Sequence, residues 1–211
     1  MRDYSLFYCD DEVVDSTDEQ SRFKVYQVAG IYPAIVGMRL PHESKSDSEG
    51  DTIGPKDLEL AKKLIKAGPS HRKFLRQIMI WVEVTACLKW WDEFDTYLHT
   101  VKNSTSQMHK LGKRKLTKGD FEGDLPNALL DMINDAIEQY QNDSTKWRDM
   151  VNIIPQSFLY TRMVSLNYET VFTMYSTRKN HKMKEWPLFL NSLLKDCPYL
   201  EDFIYYMRGE E

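Results

Sequence analysis

The chain has 211 residues, of which 42% are apolar and 28% charged, and a formal net charge of −4. A chain of this size buries enough surface to fold as one domain without disulfides or metal. Its acidic balance disfavours nucleic acid and anionic lipid as partners, and its apolar runs fall far short of the roughly 18 residues of a membrane span. The acidic start does not read as a signal peptide. Cys9, Cys87 and Cys197 are widely spaced and odd in number, which reads as reduced thiols and a cytoplasmic location.

Taken in order, residues 1–20 hold an acidic cluster and predict a loose arm. Residues 23–40 are β-branched and aromatic, broken by Gly30, Pro33 and Gly37, and predict strand material interrupted by turns. A Ser/Asp/Gly-rich loop over 41–54 ends at Pro55, which opens a helix that Gly68 closes. This divides the chain into an N-terminal arm and strand region, 1–54, and a core, 55–211, within one domain. Residues 77–85 alternate strictly, with Ile78, Ile80, Val82 and Val84 on one face, and give the clearest strand. Helical spacing follows over 87–97, around Leu129, Ile133 and Ile137, and over 146–154, where Pro155 stops it. A strand over 158–166 precedes three more helices: one from Tyr168 to Arg178, one around Trp186 to Leu194, and one from Leu200. Many helices and few strands in mixed order predict an α+β fold, a mixed sheet packed against several helices.

No phosphate loop, dinucleotide fingerprint, nucleophile elbow or zinc spacing is present, so no metal ligands are expected. The run 109–118 carries five Lys or Arg and reads first as a solvated basic loop, second as an anion contact. Lys89-Trp90-Trp91 has the composition of a stacking platform, although adjacent Trp on a helix more often pack in a core.

Two stretches together resemble the flavin-dependent thymidylate synthases. In that family a strand and helix lead to a signature of Arg-His-Arg, two residues, Ser, one residue, Asn-Glu, one residue, Ser, one residue, Arg-Tyr. Residues 74–111 lie on that region without a gap, with Asn103, Ser104, Thr105 and Ser106 at the Asn-Glu-x-Ser positions. Further on, Ile154-Pro155 and Leu159-Tyr160-Thr161-Arg162 resemble the family's Leu-Pro and Tyr-x-x-Arg strand. Asn167 matches the Asn that opens the next helix, Arg178 the Arg eleven residues later, and His181 with Glu185-Trp186 a His-Ala-Gln-x-Glu pattern slightly shifted. The likeness covers roughly 55–208. The signature itself is broken: Thr96, Tyr97 and Leu98 stand at Arg-His-Arg, Ser104 at Glu, and Met108-His109 at Arg-Tyr.

The resemblance implies an enzyme that methylates the uracil ring of dUMP. It implies bound FAD, with NADPH and methylenetetrahydrofolate as co-substrates and no catalytic nucleophile from the protein. It places Arg162, Arg178, Ser106 and Gln107 at the nucleotide, and Asn103, Asn167, His71 and His181 at the flavin. It also implies a homotetramer with sites shared between subunits. Losing three cations from a phosphate-rich site removes charge-assisted bonds of about 1.5–3 kcal/mol each; Lys89, Lys102, Lys110 and 113–115 are the available substitutes. The rival expectation is a non-catalytic nucleotide- or nucleic-acid-binding protein that keeps the fold.

Overall fold

Gly30 divides the apolar stretch 23–40 into two unlike elements: strand β1, Phe23–Ala29, and helix α1, Ile31–Arg39. The expectation of strand throughout is therefore corrected in its second half. Gly30 takes φ +91°, and a Cβ there would sit 2.4 Å from the Gln77 carbonyl oxygen, so the turn demands glycine. Beyond it Ile31, Ala34, Ile35 and Met38 fall at i, i+3, i+4 and i+7 and are all buried, a helical stripe that overrides β-branched composition. Pro33 lies in the first turn, where its missing N–H costs nothing.

The structure is a computed structural model that describes residues 22–106 and 110–209. The acidic arm expected over 1–20 lies outside the described residues, as does Gln107. Residues 41–54 form a loop, and α2, Pro55–Lys66, begins on its proline. Then come β2, Met79–Cys87; α3, Leu88–Phe94; β3, Val101–Ser104; α4, Asn127–Asn142; and α5, Trp147–Asn152. The chain closes with β4, Leu159–Asn167; α6, Tyr168–Arg178; α7, Glu185–Asp196; and α8, Leu200–Arg208. Among the described residues no helix is long and apolar enough to cross a membrane.

The α+β class holds. The sheet has the order β1-β2-β4-β3, and every hydrogen-bonded pair is antiparallel rather than mixed. β2 and β3, joined through α3, both oppose β4, which inserts between them, so their parallel relation never becomes a pairing. The β2–β4 ladder runs nine residues, from Met79↔Asn167 to Cys87↔Leu159. Ile78, Ile80, Val82 and Val84 are wholly buried, as the alternation predicts.

Two separate cores result. The larger packs helices on the sheet around an aromatic knot, in which Trp90 lies 4.6 Å from Trp186, 5.0 Å from Phe94 and 5.4 Å from Phe189 between ring centroids. Trp90 and Trp91 are thus core residues, not a stacking platform. The smaller core, including Leu111, Leu116, Ile133, Ile137 and Met150, lies within the chain between β3 and β4.

One buried carboxylate clips the loop 41–54 to α2. Asp57 has no exposure and accepts hydrogen bonds from the hydroxyls of Ser46 and Ser48, the amides of Asp47 and Ser48, and Arg39 Nε. Burial raises its pKa, but the bonds from Ser46, Ser48 and the Arg39 guanidinium outweigh it and hold the carboxyl at about 2. A depressed folded-state pKa stabilises the fold above the unfolded value, and that stability goes as pH falls through the folded one. Urea titrations should therefore show the wild type losing roughly 2 kcal/mol between pH 5 and pH 2 through this group. Asp57→Asn, which strips Arg39 of its carboxylate, should already be about 3–5 kcal/mol less stable at pH 7. It should also lack that part of the acid slope.

Candidate functional site

β4 and α6 run in series, and the residues where they meet and end are the ones the sequence singles out. Asn167 is the N-cap of α6: its side-chain oxygen accepts from Thr170 N at 2.9 Å and from the Thr170 hydroxyl at 3.1 Å. Its amide nitrogen has no partner among the described residues and faces a cavity of about 580 Å3. Thr96, Tyr97, Leu98, Arg76 and Arg178 also line this cavity, together with Thr170, Thr173 and Thr177 along one face of α6. The Thr173 hydroxyl donates to the Glu169 carbonyl, which leaves its oxygen as an acceptor, while the Thr177 hydroxyl donates to the Thr173 carbonyl and accepts from the Tyr97 hydroxyl. Thr96, Tyr97 and Leu98, which the resemblance sets at Arg-His-Arg, thus line a cavity wall without charge.

Both surviving arginines are held by carboxylates from α3 and the residue after it. Arg178 Nη1 donates to Glu93 Oε2 at 2.7 Å and its Nε to the Tyr97 hydroxyl at 3.0 Å, while the guanidinium lies 5.1 Å from the Trp186 ring centroid. His181 joins this cluster, its Nε2 3.0 Å from Arg178 Nη1 and its Nδ1 accepting from Met183 N. Arg162 is not the solvent-seeking arginine of an edge strand, because β4 is interior to the sheet. Its Nη1 donates to both Asp95 oxygens, at 3.1 and 3.2 Å, and it stacks 4.4 Å from the Trp91 centroid and 5.1 Å from Tyr160. Its Nε is buried with no partner among the described residues. Lys102 Nζ donates to the same Asp95 at 2.7 Å. Burial raises the Asp95 pKa, but the bonds from Lys102 and Arg162 more than reverse it and hold the carboxyl below the usual range.

The remaining candidates disperse. Ser106 lines a second cavity of about 430 Å3, with Thr105, Lys110, Lys113, Arg114, Tyr160 and Thr161. His71 lines a third of about 390 Å3, with His42 and Lys73. Asn103 is exposed on β3, opposite Met163. Residues 103–104 belong to an edge strand, pairing with β4 through Asn103↔Met163 and Ser104↔Arg162. Sequence reasoning missed Glu93 and Asp95; nothing local marks either as the partner of an arginine more than sixty residues away. Cys87 and Cys197 are buried, and burial pushes their thiols up to about 11 and about 12, so neither is a nucleophile.

No protein-family model matches the chain, and no characterised protein matches it by sequence. Solved structures match its fold. A flavin-dependent thymidylate synthase ThyX from Helicobacter pylori, complexed with FAD and dUMP, superimposes with a TM-score of 0.70 at 14% identity, covering 89% of this chain and 98% of that one. A second structure of the Helicobacter pylori protein, also with FAD and dUMP, gives 0.71 at 14% identity over 89% and 99%. A UMP/dUMP methylase PolB from Streptomyces cacaoi, bound with 5-Br UMP, gives 0.65 at 11% over 89% and 93%. The fold is therefore like that of the flavin-dependent thymidylate synthases along nearly the whole of those chains.

The arginine clusters have a measurable structural share. Arg178→Ala leaves the half-buried Glu93 with only Trp186 Nε1, 3.2 Å away, and His181 Nε2, 3.5 Å away, beside it. Chemical denaturation should show a loss of about 1.5–3 kcal/mol, and Glu93→Gln, which keeps a neutral acceptor for Arg178, should lose less.

Proposed function

We propose that the chain is a nucleotide-modifying enzyme that methylates the uracil ring of dUMP, taking carbon from methylenetetrahydrofolate and using FAD reduced by NADPH. The observation that carries this reading is the 580 Å3 cavity at the β4–α6 corner, in a fold whose solved counterparts hold FAD and uracil nucleotides. Its volume is that of a small-molecule site.

The lining suits a flavin in two respects. Asn167 offers an amide donor and the Thr173 hydroxyl an acceptor, a pattern complementary to the polar edge of a flavin ring. Arg76, whose Nη2 donates only to the Pro69 carbonyl among the described residues, supplies a cation with no carboxylate partner for a diphosphate. When bound, the flavin supplies a hydride. Within this reading Asn167 orients the ring; Asn103, His71 and His181 do not line this cavity. Arg178, fixed by Glu93 and Tyr97, presents a positioned donor to a uracil carbonyl. Tyr97 and Leu98 give this wall an uncharged surface where the related signature carries charge. The reading carries a homo-oligomer with it, so light scattering should give a mass above that of one chain.

A second reading is favoured by one specific observation: Arg162 and Arg178 are both already neutralised, by Asp95 and Glu93. A protein with that arrangement keeps the fold and binds without catalysing. Flavin titration and turnover separate the two. Under the first reading FAD binds with a shifted visible spectrum, dTMP forms from dUMP only with NADPH and methylenetetrahydrofolate present, and Asn167→Ala weakens FAD at least tenfold. Protein that takes up no FAD and forms no dTMP belongs to the second.

A further inference from the structure

The basic run 110–118 has the composition of a solvated loop, yet the fold pins it. Gly112, at φ +90°, turns the chain so tightly against α4 that a Cβ would meet the Tyr140 ring at 2.7 Å and the Met150 sulfur at 2.9 Å. Gln141 Nε2 donates to the Gly112 carbonyl at 2.8 Å. Asn134 accepts from Leu116 N at 2.7 Å and donates to Leu116 O at 3.0 Å, a two-bond clamp. Three of the cations are spoken for: Arg114 by Asp120, Lys115 by Glu138 and Lys118 by Asp124. Lys110 and Lys113 are not, and neither pairs with a carboxylate among the described residues. Both border the 430 Å3 cavity, which Phe158, Tyr160 and Thr161 also line.

We propose that this cavity holds the phosphate of a pyrimidine mononucleotide, with Lys110 and Lys113 as its cations. This rests on the reading of the chain as a uracil-nucleotide enzyme and deepens it. The phosphate, which the resemblance assigns to Arg162, moves to residues outside the signature. At Arg162 an arriving phosphate meets Asp95, a carboxylate gripped by Arg162 and Lys102 together, and is repelled by it. At Lys110 and Lys113 it meets two ammonium groups with no carboxylate partner and forms charge-assisted bonds without that repulsion. Because the loop is already anchored, binding has little chain left to order.

Calorimetric titrations of dUMP, deoxyuridine and inorganic phosphate into wild type, Lys110→Ala/Lys113→Ala and Arg162→Ala test the assignment, with a thermal melt confirming that each variant is folded. The double variant should bind dUMP at least tenfold more weakly than wild type and leave deoxyuridine unchanged, while Arg162→Ala changes dUMP affinity less. Equal dUMP affinity in wild type and the double variant overturns the site, as does a larger loss in Arg162→Ala. If wild type binds neither dUMP nor deoxyuridine, the uracil-nucleotide reading fails by itself, and inorganic phosphate decides the site. Phosphate that binds wild type and is lost in the double variant sustains the two lysines as an anion site, and phosphate that binds neither removes them. Tighter binding of single-stranded oligothymidylate than of dUMP, abolished in the double variant, assigns the lysines to nucleic acid and overturns the mononucleotide.

Discussion

The seating of α3 is the contact on which the site depends. Trp90 and Phe94 are buried against Trp186 and Phe189 of α7, with Trp91 buried beside them, so this seven-residue helix has one position and one rotation. Burying several large aromatics stabilises the arrangement by about 1.5–3 kcal/mol for each ring removed from water. Glu93 extends from the same helix and Asp95 follows it directly, and they reach Arg178 at the end of α6 and Arg162 in the middle of β4. Packing at the back of the sheet thereby fixes charge at the front.

Those ion pairs change what the arginines can do. An arginine poised for a phosphate has exposed donors and a positive surround, whereas Arg162 shares Asp95 with Lys102 and lies flat against Trp91. The likeness to the flavin-dependent thymidylate synthases is one of architecture.

Much of the fold was legible because its signals are local. Alternation over 78–84 marks β2, Pro55 marks the start of α2, and the spacing of Leu129, Ile133 and Ile137 marks α4. α1 was misread because Gly30, Pro33 and Ile35-Val36 look like broken strand until the spacing of Ile31, Ala34, Ile35 and Met38 is counted. β3 was missed because four residues carry no period, and only pairing with β4 makes them a strand. The site was less legible still. Asn167 and Arg178 converge on one cavity, but the partners of Arg162 and Arg178 lie 67 and 85 positions away in sequence. Likewise, Lys110 and Lys113 differ from their neighbours only in what Asp120, Glu138 and Asp124 leave unpaired, and that is a property of the folded chain.

The sheet's two margins bear on how molecules of this chain can meet. On one side β3 offers only four residues of backbone, with Lys102 among them; on the other, β1 breaks register between Val25 and Gln27 where it pairs with β2. A short margin and a bulged one both resist extension by a strand from another molecule. Fibrous growth through backbone pairing is discouraged at each end. Any self-association is left to side-chain surfaces, where shape and charge choose the partner.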